Sequence, residues 1–236
     1  MTPALECHNI RSGYGDMEII AGIDLKLDVG DIYAIVGKNG AGKTTLVKTI
    51  MRVLPLLGGS FTLFGNDAAK LSTNQVVSLG IASSPQDRPF FNDLSVEENL
   101  RLGALGQSRQ QFRGEIDRIV EMFPFIGQRL AQKVGTLSGG EQAMVKVGRA
   151  LLPKPRLVIL DEVTEGLQPM IVDRVREVLL RDHKERSITI LVVEQNVDFV
   201  AGLASRYGLI ERGCMVAEGR FSDSGARKRI TDHLLV

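Results

Sequence analysis

The chain has 236 residues, of which 44% are hydrophobic and 24% are charged, proportions typical of a folded protein and unlike those of a disordered one. Its 29 basic and 28 acidic residues leave a net charge of +1, which argues against a general nucleic-acid or anionic-membrane binder. The sequence shows no secretory signal and no apolar stretch near the roughly 20 residues that cross a bilayer, so it predicts a cytoplasmic protein without a membrane span of its own.

Strand patterns dominate the first third of the chain. Residues 23–29 alternate apolar and polar side chains, which predicts a half-buried antiparallel strand. Residues 32–36 form a continuous apolar run, typical of a central strand buried on both faces. The pair Gly58-Gly59 is expected to break the chain before a short strand at 61–64, and Ser72 to begin a helix that ends near Leu79.

From about Asp87 to Leu152 the pattern becomes helical, with a capping-box start at Ser95. Strand-like runs return at 157–160 and 188–193, separated by a helix with Pro169 in its first turn, and a hairpin and a terminal helix follow. This alternation predicts an α/β fold around a parallel sheet. Residues 1–86 and 153–236 are predicted to form the core with an antiparallel β subdomain, and residues 87–152 an inserted α-helical subdomain.

A phosphate-binding loop is predicted directly after the buried strand at 32–36. The sequence GxxxxGK[ST] is matched by Gly37, Lys38, Asn39, Gly40, Ala41, Gly42, Lys43 and Thr44, and Thr45 follows in the next helix. Backbone N–H groups of such a loop surround a phosphate at the positive end of the helix dipole. Lys43 is expected to reach the β and γ phosphates of ATP, and Thr44 to bind Mg²⁺. A chance glycine-rich turn would explain neither the Lys-Thr pair nor the flanking strand and helix.

Two adjacent carboxylates follow the apolar run at 157–160. Asp161 and Glu162 are expected at the carboxyl end of a strand, where open α/β sheets bind their ligands. Asp161 is predicted to hold Mg²⁺ through its water shell, and Glu162 to activate the water that attacks the γ phosphate. The alternative is an acidic helix start that interacts with the helix dipole.

The segment 137–142, Leu-Ser-Gly-Gly-Glu-Gln, resembles the LSGGQ signature of the ABC ATPases. The resemblance spans nearly the whole chain and implies a P-loop NTPase (RecA-like) core. In that family Ser138, Gly139 and Gly140 cap the ATP that the partner subunit holds. An ordinary capped helix would explain Ser138 but not the paired glycines, which weaken a helix.

The same resemblance implies roles for three further segments. Tyr14 falls where the family stacks an aromatic ring on adenine, although a core or loop tyrosine is an alternative. Gln86 falls at the glutamine that links Mg²⁺ and the attacking water to the helical insertion and the membrane partner, although a surface-turn glutamine is possible. Residues 164–169 correspond to the D-loop that crosses the dimer interface.

Three positions depart from the family pattern. Val163 stands where a proline is usual, Gln168 where an aspartate is usual, and Gln195 at the position of the switch histidine. Gln195 can hydrogen-bond to a γ phosphate but cannot become cationic. With Gln195, the segments 164–169 and 193–196 resemble the shorter ATPase subunit of importers for branched-chain amino acids, urea and short amides.

This resemblance implies several partners and a location. They are a second ATPase subunit in a homodimer or heterodimer, transmembrane permease subunits, and indirectly a solute-binding protein, without nucleic acid. The chain is then expected on the inner face of the plasma membrane, held there by the transporter subunits. A soluble ABC ATPase of translation or DNA repair is the alternative, and it predicts tandem cassettes or a basic arm, which this sequence lacks. A small-molecule kinase would leave the signature segment unexplained.

Overall fold

The computed structural model describes residues 2–86 and 90–235, and its strands form two sheets. The antiparallel sheet has the order β2-β1-β4-β5 and comprises β1 (Leu5–Tyr14), β2 (Met17–Leu27), β4 (Leu56–Leu63) and β5 (Asn66–Asp67). The central sheet has the order β10-β9-β3-β8-β7-β6 and comprises β3 (Ile32–Val36), β6 (Ile81–Ser84), β7 (Leu157–Asp161), β8 (Thr189–Glu194), β9 (Arg206–Glu211) and β10 (Cys214–Arg220). Strands β9, β3, β8, β7 and β6 run parallel, and β10 returns antiparallel to β9.

The described helices cover the central sheet, and several of them lie between β6 and β7. Helices α1 (Lys43–Ile50) and α2 (Thr73–Ser78) precede β6, and α3 (Val96–Gly103), α4 (Arg109–Met122), α5 (Pro124–Arg129) and α6 (Gly139–Leu151) lie between β6 and β7. Helix α7 (Pro169–Arg186) joins β7 to β8, α8 (Val197–Ala201) follows β8, and α9 (Ala226–Leu235) comes last. Among these described helices, none combines the length and apolar character that a bilayer crossing requires.

The predicted α/β fold with a mainly parallel central sheet is confirmed. Alternate residues of β3 serve two hydrophobic clusters, because successive strand side chains point to opposite faces. Tyr33 and Ile35 pack with α1 and the antiparallel sheet, whereas Ala34 and Val36 pack with the helices on the other face. The division into a core and an inserted subdomain at 87–152 stays a prediction, and residues 87–89, where it begins, lie outside the described residues.

Two local predictions were wrong. Gly58 and Gly59 do not break the chain but lie inside β4, at a register shift against β1. Gly59 has φ of 78°, and a Cβ there would lie 2.2 Å from the main-chain oxygen of Asn9, so a bulge needs glycine at this position. The predicted strand at 23–29 ends at Leu27, and Val29 is exposed.

The parallel strands place several predicted site segments at one edge of the central sheet. The phosphate loop follows β3, Gln86 follows β6, Asp161 ends β7 and Gln195 follows β8. Because these strands are parallel neighbours in the order β3-β8-β7-β6, their carboxyl ends lie side by side, where α/β sheets bind ligands.

Candidate nucleotide site

The phosphate loop is a sharp turn into α1 that depends on two glycines. Gly42 caps the helix with φ of 104°, a backbone conformation that glycine adopts without steric cost. A Cβ at Gly37 would lie 2.6 Å from the main-chain oxygen of Ile210, so a larger residue would push the loop away from β9. The turn therefore brings the backbone of residues 37–42 to the N-terminus of α1, a favourable position for an anion.

Lys43 is buried in the centre of this loop and uses all three of its N–H donors. Its Nζ donates to the main-chain oxygens of Gly37 and Lys38, at 2.8 and 2.9 Å. It also lies 2.9 Å from Oε1 of Glu162, and the two side chains are 3% and 8% exposed. A buried ion pair of this kind is compensated only while both partners remain. Glu162 therefore neutralises the charge of Lys43, the side chain that the sequence predicts to contact a phosphate.

Gln86 connects the loop to the acidic end of β7. Its Oε1 accepts a hydrogen bond from the Thr44 hydroxyl at 3.3 Å. Its Nε2 donates to Glu162 at 2.5 Å and to Glu165 at 3.1 Å. Residues from three segments that are far apart in sequence therefore form one hydrogen-bonded group around Lys43.

Asp161 is a buried carboxylate whose two oxygens accept no hydrogen bond of standard geometry from the described residues, although the Thr44 hydroxyl lies nearby. Burial is the main cause that raises the pKa of Asp161 to about 6, against the opposing effect of the nearby Thr44 hydroxyl. Buried carboxylate oxygens without a hydrogen bond of standard geometry are suited to a cation. The pair Asp161 and Thr44 therefore fits the oxygen ligands that Mg²⁺ prefers.

A cavity of about 360 Å³ opens in front of this group. Its lining comprises Tyr14, Ile19, Asn39, Gly40, Gly42, Lys43, Thr44, Thr45, Gln86 and Glu162. Tyr14 is 47% exposed, with Nζ of Lys48 5.9 Å from the centroid of its ring, so part of the ring is open for stacking on a base. Lys38 and Ala41 line a neighbouring cavity instead, and Gly37, the first residue of the loop, is buried.

The remaining predicted residues lie outside this cavity. Gln195 is exposed and lines an adjoining cavity with Asn39 and Glu162. Ser138 and Gly139 are exposed at the N-terminus of α6, and neither belongs to the lining of the cavity at the phosphate loop. The structure therefore does not bring the signature segment to the phosphate loop of the same chain.

Ser138 begins α6 through a reciprocal capping box. Its hydroxyl accepts from the backbone N–H of Glu141 at 3.3 Å, and Glu141 accepts from the backbone N–H of Ser138 at 2.9 Å. Hydrogen bonds from Ser138 lower the pKa of Glu141. Capping explains both of these side chains. It does not explain Gly139, where a Cβ would meet nothing within 4 Å in the described chain.

Sequence reasoning assigned no role to Glu194, the last residue of β8. One of its oxygens accepts from the backbone N–H and the hydroxyl of Thr164, both at 2.9 Å. Burial raises the pKa of Glu194, and the bonds from Thr164 oppose that rise. The side chain thus fixes the start of the segment 164–169. A carboxylate at the end of a buried strand, next to Gln195, was the signal available in the sequence.

A glycine-rich loop between a buried parallel strand and a helix, facing paired carboxylates at the same sheet edge, defines a P-loop nucleotide-binding protein. The family model described as ABC transporter matches residues 20–165. The chain belongs to this family, as its signature segment predicted, and is therefore an ATPase that binds ATP.

Relatives and solved structures match over nearly the full chain. BraG of Pseudomonas aeruginosa, a high-affinity branched-chain amino acid transport ATP-binding protein, is 33% identical over 94% of this chain and 93% of its own. LivF of Archaeoglobus fulgidus, a probable branched-chain amino acid transport ATP-binding protein, is 31% identical over 95% of this chain and 92% of its own. A nucleotide-free ATP-binding cassette from an ABC transporter shares the fold, with a TM-score of 0.84 and 24% identity. The match covers 99% of this chain and 95% of the cassette. Proteins named for export are also among the relatives.

Proposed function

We propose that this chain is the ATP-hydrolysing subunit of an ABC importer for a small polar solute, in the class of branched-chain amino acids, urea or amides. The observation that carries the proposal is the convergence of Lys43, Thr44, Gln86 and Glu162 on one cavity at the carboxyl edge of the sheet. The names of BraG and LivF support the solute class, and the resemblance of segments 164–169 and 193–196 supports import. The permease subunits would hold the chain at the inner face of the membrane.

In this proposal the triphosphate enters the cavity with adenine on Tyr14 and its phosphates on the backbone of the loop. Lys43 then exchanges the carboxylate of Glu162 for the β and γ phosphates, because a phosphate carries more charge and reaches the same ammonium. The exchange frees Glu162 to accept a proton from the attacking water, a step worth roughly 10² to 10⁴ in rate.

Asp161 and Thr44 would hold Mg²⁺, with Gln86 beside them. The ion, when bound, neutralises charge that develops on the phosphates. Gln86 already hydrogen-bonds to both Thr44 and Glu162. A change at either residue would therefore move Gln86 and, through the backbone, the helical segment that follows it. Gln195, at the edge of the same region, would contact the γ phosphate as a neutral hydrogen-bond partner.

We further propose that two ATPase subunits, two copies or one copy and a paralogue, close over two nucleotides. Ser138, Gly139 and Gly140 of one subunit would cap the ATP held by the phosphate loop of the other. Two observations support this arrangement: the α6 N-terminus is exposed and apart from its own cavity, and Gly139 has open space that its own fold leaves unused. A close approach by a partner nucleotide would account for a glycine there.

The variant Glu162→Gln tests this function. It should bind ATP normally, hydrolyse it at least about a hundredfold more slowly, and accumulate as a closed dimer, because closure then is not followed by hydrolysis. Size-exclusion chromatography with light scattering at saturating Mg-ATP measures the dimer. The double variant Lys43→Ala/Glu162→Gln is the control, and it should stay monomeric because it lacks the phosphate contact. A Glu162→Gln protein that binds ATP and remains monomeric would argue strongly against dimer closure.

A further inference from the structure

Lys146 is a buried lysine in the middle of α6, two turns after Ser138. It is 8% exposed, and its neighbours Val145 and Val147 are fully buried. Burial lowers the pKa of Lys146, because moving an ammonium out of water costs free energy unless other groups compensate its charge. An apolar residue would fill this position at a lower cost, so packing alone does not account for the lysine.

The compensation comes from the acidic end of β7. Nζ of Lys146 donates to the main-chain oxygen of Asp161 at 3.1 Å. The carboxylates of Asp161, Glu194, Glu162 and Glu165 are near enough to favour the charged ammonium. A single side chain of α6 thus holds the peptide that joins the proposed metal ligand to the proposed general base.

Lys146 and Lys43 differ in what they can do when a nucleotide arrives. Lys43 lines the cavity and pairs with Glu162. A bound triphosphate can therefore replace Glu162 as the partner of the Lys43 ammonium. Lys146 is not among the residues that line the cavity, and it is held on the backbone of Asp161. Its ammonium can therefore stay on the Asp161 oxygen when a nucleotide enters the cavity.

We propose that Lys146 is a positioning residue of the ATPase reaction. Its ammonium holds the Asp161–Glu162 peptide in place, offsets the repulsion among the carboxylates, and links α6 to the end of β7 within one chain. The proposal rests on the roles proposed above for Asp161 and Glu162. It adds a connection between the helix that begins at Ser138 and the metal and base residues of its own site.

The test compares Lys146→Met with wild type in the full-length chain at pH 8. Replacing the ammonium with an uncharged side chain of similar length should lower kcat by about tenfold and leave KM for ATP within about twofold, since Lys146 does not contact the nucleotide cavity. Mg²⁺ should bind several times more tightly in the presence of a non-hydrolysable ATP analogue, because a buried positive charge no longer opposes it. Isothermal titration with Mg²⁺ alone as titrant measures this affinity.

Two further variants separate positioning from general damage. Lys146→Arg keeps the charge and a donor for the Asp161 oxygen, so it should recover most of kcat, and it remains testable if the methionine variant does not fold. Arg149→Met removes another poorly solvated cation of α6, which lies over Phe90, and it should change neither kcat nor Mg²⁺ affinity. Unchanged kcat and Mg²⁺ affinity in Lys146→Met, or equal changes in Arg149→Met, would overturn the proposal. The Mg²⁺ titration requires only one chain, so failure of dimer closure leaves its outcome interpretable.

Discussion

Gln195 stands at the position where the resemblance to the family leads us to expect a histidine. Its backbone N–H donates to Glu194 at 3.2 Å, and its side chain is exposed beside Asn39 and Glu162. A glutamine there can contact a γ phosphate without a change in charge between pH 5 and 8. Turnover should therefore lack a neutral-range ionisation that belongs to this position.

The variant Gln195→His should add such an ionisation, with a pKa of about 6.5. The measurement is kcat against pH for both proteins, taken as a difference, because Asp161 itself has a pKa of about 6 without a metal. The charged form of Asp161, which would hold the metal, is present above that pH and is lost as pH falls through it. Identical neutral-range profiles would show that position 195 does not act on the reacting phosphate.

Helices α4, α6 and α7 meet at one partly buried arginine, Arg118. The guanidinium of Arg118 donates to Glu115 at 3.0 Å, to Asp182 at 2.9 Å, and to the main-chain oxygen of Leu151 at 2.7 Å. Asp182 is fully buried and also pairs with Arg186. This junction fixes the C-terminal end of α6 against the core, while its N-terminus carries Ser138.

Arg118→Met should destabilise the protein by about 3 kcal/mol, because it leaves Asp182 with one partner for a buried charge. Urea unfolding followed by circular dichroism measures the change in the free energy of unfolding. Arg181→Met is the matched control, since Arg181 pairs with Glu121 and Glu185 on the surface, where ion pairs add little. An equal loss of unfolding free energy in the two variants would show that the ion pairs of Arg118 stabilise the protein no more than those on the surface.

In the proposed dimer, each ATP site contains residues from both subunits. This arrangement can be tested by mixing two inactive variants. Lys43→Ala and Ser138→Arg should each be inactive alone, because each homodimer lacks one half of both sites. A mixed dimer has one intact site, with Lys43 from one chain and Ser138 from the other.

Random mixing of these two variants should therefore restore about a quarter of the wild-type ATPase rate, as expected for a two-fold symmetric dimer. Steady-state phosphate release, measured across mixing ratios, should peak at equal amounts of the two variants. Wild type diluted with each variant separately provides the reference. A mixture as inactive as its components would exclude a site shared by two copies of this chain.

Much of the nucleotide site was predictable because its signals are local. The loop 37–44 and the pair Asp161-Glu162 follow buried strands directly, and Ser72, Ser95 and Ser138 form capping boxes over three residues. Parallel strands place their carboxyl ends together, so the convergence of these segments also followed from the pattern. The roles of the site residues remain predictions, although the geometry brings Lys43, Gln86 and Glu162 into contact.

Contacts between distant segments could not be read from the chain. Nothing near Lys43 indicates that it pairs with Glu162 in the folded protein, nothing near Lys146 indicates the Asp161 oxygen, and Gly58-Gly59 reads as a break until β1 lies beside it. Propensity, periodicity and capping act over a few residues, whereas the partner of a buried charge depends on which elements pack together. The local pattern was therefore sufficient to predict which segments would bind a phosphate and a metal, and the packing of α6, β4 and β7 was needed to establish which charges and backbone groups surround those segments.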